Sequence, residues 1–307
     1  IPFAKYDDNI LTQLKGGAGP DVFRLTAFNF LRWAKEGYLE PLDEHIGDMI
    51  DSFEWTKSFN NAIIDGKTYG LLCELVPYGG LIYVKSYLEK AGAAVPTNPD
   101  EFYEAIMKLD AYAKSSNEFT FAYIHPFNLS NPVYLMQQGM IIVNGFGGLI
   151  VQDGKFTVND KNFIAGVQYL KKLYDSGAVP VGTEFGTQRN AYLKGEAAMV
   201  LDGIYWPAIV KGASQELYED IGVIKPPFPY DYSPYEDDWD VMNANSSDRK
   251  KAAAAKFLRF IYETGRVDNS FPISGVPAGT GTSVALAKKS NPWVDVYLNS
   301  TAESNWV

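Results

Sequence analysis

The chain has 307 residues, 46% of them hydrophobic, with 37 acidic against 27 basic side chains and a net charge of -10. That length exceeds what one core usually supports, so two domains are expected. The acidic balance, with no Lys/Arg cluster, argues against nucleic acid, whose affinity comes from neutralised phosphates. A single cysteine, Cys73, excludes an internal disulfide and a Cys-based zinc site, and no apolar run of about 18 residues offers a membrane span. Aromatic residues make up 14% of the chain, which suits flat amphipathic surfaces as well as core.

In chain order, Lys5 to Leu14 has helical apolar spacing and ends at Gly16-Gly17. A turn, Gly17 to Asp21, leads into a buried strand at Val22-Phe23, and a helix from about Phe28 to Glu36 stops at Gly37. Lys67 to Lys90 reads as a strand entering a second domain. Asn98-Pro99-Asp100-Glu101 is a helix start with a cap, Pro at the first position and acids in the first turn; that helix is expected to reach about Ala113. Phe121 to Gly148 reads as irregular, aromatic and amide-rich. Gln152-Asp153-Gly154-Lys155 is a hairpin turn, and Asp160 to Ser176 is an amphipathic helix closed by Gly177.

Asn190 to Val210 carries a short helix closed by Gly195, a buried strand from Ala197 to Leu201, a tight turn at Asp202-Gly203, and the pair Tyr205-Trp206 opening the next helix. Residues after such a strand stand at the carboxyl edge of a sheet, where α/β folds bind ligands. Ile221 to Ile224 reads as a strand, Pro226 to Asp240 as a loop dense in Pro, Tyr and acid, and Asp248 to Glu263 as a helix.

Catalytic and cofactor motifs fail on inspection. Gly66-Lys67-Thr68 lacks the earlier glycine of a phosphate loop, which is Asn61 here, and Gly279-Thr280-Gly281 lacks a third glycine. His45 and His125 have no metal-ligand spacing, and no nucleophile elbow occurs. The acids Glu236, Asp237, Asp238 and Asp240 around Trp239 admit a glycosidase reading, but acids adjacent on one segment do not supply the opposed pair that general acid catalysis needs. Sugar-hydroxyl acceptors or a solvated loop fit them better.

Several stretches resemble one family. Leu14-x-Gly16-Gly17-x-Gly19-Pro20-Asp21-Val22-Phe23, followed by Trp33-x-x-x-Gly37-x-Leu39-x-Pro41-Leu42, is similar to the extracellular solute-binding proteins of family 1, the sugar-binding components of ATP-binding-cassette importers. The Lys67 to Lys90 segment resembles the family's first crossing between lobes, although Cys73 stands near its usual Pro and Val84 replaces its usual Asn. The Gly195-to-Trp206 stretch resembles its helix-strand junction. Val241 to Asn245 and Gly275-Val276-Pro277-Ala278 resemble further crossings.

The resemblance implies an α/β, two-lobe periplasmic-binding-protein-like fold of type II, its lobes joined by crossing hinge strands. Lobe 1 would comprise 1–75 and 241–307, with lobe 2 at 76–240. It further implies capture of a carbohydrate, an oligosaccharide above all, in the cleft between lobes, with closure on the ligand and delivery to membrane permease subunits. The protein would be an extracytoplasmic monomer, periplasmic or lipid-anchored at the cell surface, and not an enzyme, with no cofactor and no metal. The family's opening strand-helix-strand unit and its closing helices are not found, as in a trimmed sequence. Carried onto matching positions, the ligand-binding residues are Arg24, Thr26 and Asn29 after the first strand, Glu74 and Tyr78 at the first crossing, Asn131, Tyr134 and Gln138 in the variable segment, Tyr205 and Trp206 for stacking, and Asp238 and Trp239 beside the second crossing. A glycoside hydrolase, a binder of a non-sugar solute and a surface adhesin remain as alternatives.

Overall fold

The computed structural model describes residues 5–128, 132–232, 234–267 and 279–301. The elements run α1 (Tyr6–Lys15), β1 (Val22–Thr26), α2 (Ala27–Lys35), α3 (Asp43–Ile50), a 3-10 turn Lys57–Ala62, β2 (Ile63–Ile64), β3 (Lys67–Thr68), β4 (Gly70–Val84), α4 (Lys85–Lys90), α5 (Pro99–Ser116), β5 (Phe121–Tyr123) and α6 (Pro132–Gly145). They continue β6 (Val151–Gln152), β7 (Lys155–Phe156), α7 (Lys161–Asp175), α8 (Phe185–Leu193), β8 (Ala197–Gly203), α9 (Trp206–Ala213), α10 (Gln215–Asp220), β9 (Ile221–Ile224), β10 (Tyr235–Met242), α11 (Asp248–Glu263), α12 (Gly281–Ser290) and α13 (Val294–Thr301). The chain divides into two compact units: residues 1–76 with 236–291, and 77–235 with 292–307.

In the first unit β1 pairs antiparallel with β10, Val22 opposite Met242 through Thr26 opposite Asp238, and β10 neighbours β4. Alternation along β1 sends Phe23 and Leu25 to a face covered by α2, where Trp33 is fully buried and Phe30 stacks on Trp239 at 4.9 Å. Gly70 makes room for that stack, since a Cβ there would meet the Phe30 ring at 2.8 Å. The helix α11 docks through Leu258 and Tyr262 into the same core, and Lys251 ties it to Glu40 at 2.8 Å.

The second unit's sheet has the order β9-β4-β8-β5, antiparallel except for β5 beside β8. Its helix α5 starts as the sequence predicts: the Asn98 side chain accepts from the Glu101 N–H at 3.0 Å. It runs three residues beyond the expected end, to Ser116, and closes on Asn117 in the left-handed region. The hairpin at Asp153-Gly154 has both residues at positive φ, 51° and 72°, the mirror-image turn that matches strand twist. A second such turn, Asp65-Gly66, is what the phosphate-loop-like residues make.

Three expectations are corrected. Phe121 to Gly148 is not irregular: it holds β5 and α6, a helix of high mean hydropathy that packs against α7. An apolar surface all round carries no 3.6-residue stripe, so periodicity could not reveal it. The Asp202-Gly203 turn is the end of β8, because β4 extends far enough to pair Gly80 with Asp202 and Tyr78 with Gly203. The acid-rich half of Pro226 to Asp240 is the strand β10, whose pairing with β1 overrides the polar composition.

Gly166 on α7 lies against the α6 backbone, and a Cβ there would stand 2.6 Å from the Val143 Cα. Gly166→Ala is expected to destabilise the protein by about 1–3 kcal/mol in denaturant unfolding. His125 is fully buried, its Nδ1 paired with the Tyr123 hydroxyl at 2.8 Å, and burial lowers its pKa to about 3. The unfolded chain therefore takes up a proton near pH 6.5 that the folded chain refuses until about pH 3, so this contribution to stability is complete above that window and is lost as pH falls through it. From pH 6.5 to 4 the loss is roughly 3 kcal/mol, and His125→Gln should flatten that acid limb in denaturation curves recorded across the range.

Candidate functional site

In the first unit the register of β1 with β10 places Arg24 across from Asp240 and Thr26 across from Asp238, all four on one face. Glu74, from β4, forms an ion pair with the Arg24 guanidinium, which stays 43% exposed. Asp240 accepts from the Tyr262 hydroxyl at 3.1 Å, and the Cys73 thiol donates to the Asp238 carbonyl at 3.2 Å. Asp7, on α1, gathers the Asn29 amide at 2.6 Å and the Thr26 hydroxyl at 3.4 Å, while Asn29 accepts from Arg32 at 2.7 Å. Asp237, pointing the other way, accepts from Asn61 at 2.8 Å.

Asp238 is 8% exposed, and its buried Oδ1, like the Oδ1 of Asp237, has no hydrogen-bond partner. Burial pushes its pKa well up, the carboxylates of Glu236 and Glu74 add to the rise, and Arg24 opposes it. Burial likewise raises Asp240, against Arg24 and Tyr262, and takes Asp237 to about 6. Burial raises the Cys73 thiol far above its ordinary value, so it remains a donor and no nucleophile.

In the second unit the end of β8 and the start of α9 carry Asp202, Tyr205 and Trp206. Asp202 is fully buried and accepts from Gln138 at 2.8 Å, from the Gly203 N–H at 2.7 Å and from the Tyr205 hydroxyl at 2.6 Å. Burial raises its pKa; the Tyr205 hydroxyl and the Arg189 charge pull it back. The Arg189 guanidinium lies 5.1 Å from the Tyr205 ring centre and 5.8 Å from that of Trp206, cation–π range. Tyr78 meets Tyr205 edge-on at 6.1 Å. Gly203 permits that approach, as a Cβ would strike the Tyr205 ring at 2.7 Å.

Arg24, Glu74 and Asp238 thus share one face of the first unit, with Thr26 and Asn29 tied beside them through Asp7. Trp239 is on the opposite face, buried under Phe30. In the second unit Tyr205 is half-buried with its hydroxyl anchored, whereas Trp206 is fully buried edge-on to Tyr192 at 5.3 Å. Gln138 is fully buried, exchanging hydrogen bonds with Gln188 and donating to Asp202. Asn131 lies outside the described residues, as do the side chain of Tyr134 and the expected crossing at 275–278. Asp202 and Arg189 are not among the residues to which the sequence points: Asp202 reads as a turn aspartate and Arg189 carries no motif. The position of Asp202 at a strand's carboxyl end was the one available signal. Among the described residues no group of three His, Cys, Asp or Glu side chains could hold a metal ion, and no helix is long and apolar enough to cross a membrane.

A family model described as bacterial extracellular solute-binding protein matches residues 1–295. No curated protein matches the chain in sequence. Among solved structures, the GacH receptor of Streptomyces glaucescens, studied unliganded and with acarbose, is similar at 20% identity and a TM-score of 0.82, over 99% of this chain and 77% of that one. The ABC substrate-binding protein Lmo0181 of Listeria monocytogenes, in complex with cycloalternan, is 20% identical at a TM-score of 0.77, over 99% and 78%. UgpB of Mycobacterium tuberculosis, in complex with glycerophosphocholine, is 18% identical at 0.79, over 99% and 76%. These likenesses establish the α/β fold of two-lobed solute-binding proteins.

Because the folded state favours the protonated form of Asp238, stability contributed at this position is present at low pH and is lost as pH rises above the unfolded carboxyl's value near 3.9. Asp238→Asn is therefore expected to raise stability at pH 7.5 and to change it little at pH 4. Chemical denaturation at the two pH values checks this.

Proposed function

We propose that this chain, which belongs to the family of bacterial extracellular solute-binding proteins, captures a carbohydrate outside the cytoplasm. As a monomer it passes that cargo, uncleaved, to the permease subunits of an ABC importer. The observation that carries the reading is the bracing of Tyr205: a partly buried ring whose hydroxyl is fixed by Asp202 and whose flanks are held by Tyr78 and Arg189. An aromatic plane immobilised this way matches the apolar C–H face of a sugar ring, because no side-chain freedom is left to lose on stacking. The first unit, taken by itself, carries an Arg24–Glu74 pair with acids behind it, groups that hydrogen-bond ring hydroxyls strongly.

Acarbose and cycloalternan in the similar structures support a sugar cargo. Glycerophosphocholine in a third raises a phosphodiester as the other reading. On this face the Arg24 guanidinium is already engaged by Glu74, which favours a neutral sugar over an anion. Asn29 and Tyr78 are assigned as further contacts, with Gln138, Trp206 and Trp239 as the packing beneath.

A saccharide at about 100 times its Kd should add about 2.7 kcal/mol of stability, seen as a raised Tm, with no shortened products by chromatography. Tyr205→Ala is expected to weaken binding roughly ten- to hundredfold, as loss of a central aromatic anchor does, while Tyr205→Phe keeps most of the affinity. Calorimetric titration of both variants measures this, and cleaved product from the wild type would defeat the binding-only reading.

A further inference from the structure

Resting on the carbohydrate reading above, we propose that Arg189 decides which sugar unit is accepted beside Tyr205: its guanidinium donates to the oxygen-bearing edge of that unit and repels a protonated amine there. Arg189 stands on α8 one turn after Phe185. Its guanidinium lies 4.5 Å from the centre of the Phe185 ring, besides its contacts with Tyr205 and Trp206 at the start of α9. The helix that carries it is pinned: Gln188, fully buried, donates to the Ile124 carbonyl at 3.1 Å, just past β5, and to Gln138 at 2.7 Å.

Arg189 is distinguished by what it does not pair with. Among the described residues two arginines, Arg189 and Arg259, are partly buried, and the others are exposed. Arg259 engages two carboxylates, Asp48 and Glu263, whereas no ion pair among the described residues includes Arg189. The charge that faces it belongs to Asp202, but the Asp202 oxygens accept from Gln138, the Gly203 N–H and the Tyr205 hydroxyl. The cation is thus balanced within the unit while its donors stay unclaimed by any carboxylate. Its buried Nε makes no hydrogen bond, so the donors offered to a ligand are those of the two terminal nitrogens, a planar fork held against aromatic rings.

A guanidinium only donates, so its complement is an oxygen that accepts. A sugar seated at Tyr205, whose ring centre is 5.1 Å from the guanidinium, presents hydroxyl and ring oxygens along its edge. Hydrogen bonds to these oxygens from a charged donor are stronger than neutral ones. With Asp202 already balancing the cation, the ligand need bring no charge of its own. An ammonium in the same place sets like charges together and N–H against N–H, so it is rejected.

The test is calorimetric titration of the full chain at pH 6 with maltotriose and cellotriose, each beside the form in which every glucose is replaced by glucosamine. The wild type is expected to bind a neutral trimer roughly tenfold or more tighter than its aminated form. Arg189→Met keeps an apolar stem against the rings; there the neutral trimer should weaken roughly ten- to hundredfold and the preference over the amine should disappear. Arg189→Lys, which keeps the charge without the fork, should bind more weakly yet retain the preference. Melting curves establish that the variants fold, and Arg189→Gln carries the same reading if Arg189→Met does not. Equal weakening of both forms in Arg189→Met, with their ratio unchanged, makes Arg189 a brace for Tyr205 and nothing more, and overturns this inference; so does a wild type that prefers the aminated form. Either result leaves carbohydrate capture standing, while binding of none of the four sugars overturns both.

Discussion

The backbone hydrogen bonding of β4 is the constraint from which the rest follows. Fifteen residues, Gly70–Val84, give their first part to the sheet of one unit, beside β10, and their second part to the other, between β8 and β9. A buried strand must satisfy every N–H and C=O along its length. Meeting that demand draws the acid-rich segment after Tyr235 into a strand and extends β8 to Gly203. Both candidate groups are consequences: Asp238 and Asp240 occupy β10, and Asp202 ends β8 as the partner of Gly80.

The two units treat their buried carboxyl groups in opposite ways. Asp202 is surrounded by an amide, a backbone N–H and a phenol, so its burial is compensated and it works as a clamp on Tyr205. Asp238 is buried among other acids with a single guanidinium nearby that Glu74 engages. A compensated acid rigidifies its surroundings, whereas an uncompensated one stores a penalty.

Much of the fold was legible because local chemistry and tertiary structure agree. Asn98-Pro99 caps α5, Asp153-Gly154 turns its hairpin, Gly177 and Gly195 end helices in the left-handed region, and Asp248–Glu263 spans the helix its alanines announce. The Tyr205-Trp206 pair was legible as two aromatics after a strand. What the letters could not say is that their roles diverge: Tyr205 is half-buried on a hydrogen bond, and Trp206 is sealed against Tyr192. One residue along a chain entering a helix turns a side chain by a third of a circle, and which direction faces solvent is decided by neighbours far away in sequence.

The sequence by itself determined the α/β class, the two-unit scale, the family and most helix boundaries, since these rest on length, periodicity, caps and motif spacing within a few tens of residues. Only the tertiary structure decided that an acidic stretch is a strand, that α6 packs as a helix, and that the Asp238 Oδ1 has no hydrogen-bond partner while the Asp202 carboxyl has three donors. Those outcomes depend on pairing β1 with β10 and β4 with β8 across more than a hundred residues. A charge written in one segment takes its meaning from the donors that folding brings, or fails to bring, from the others.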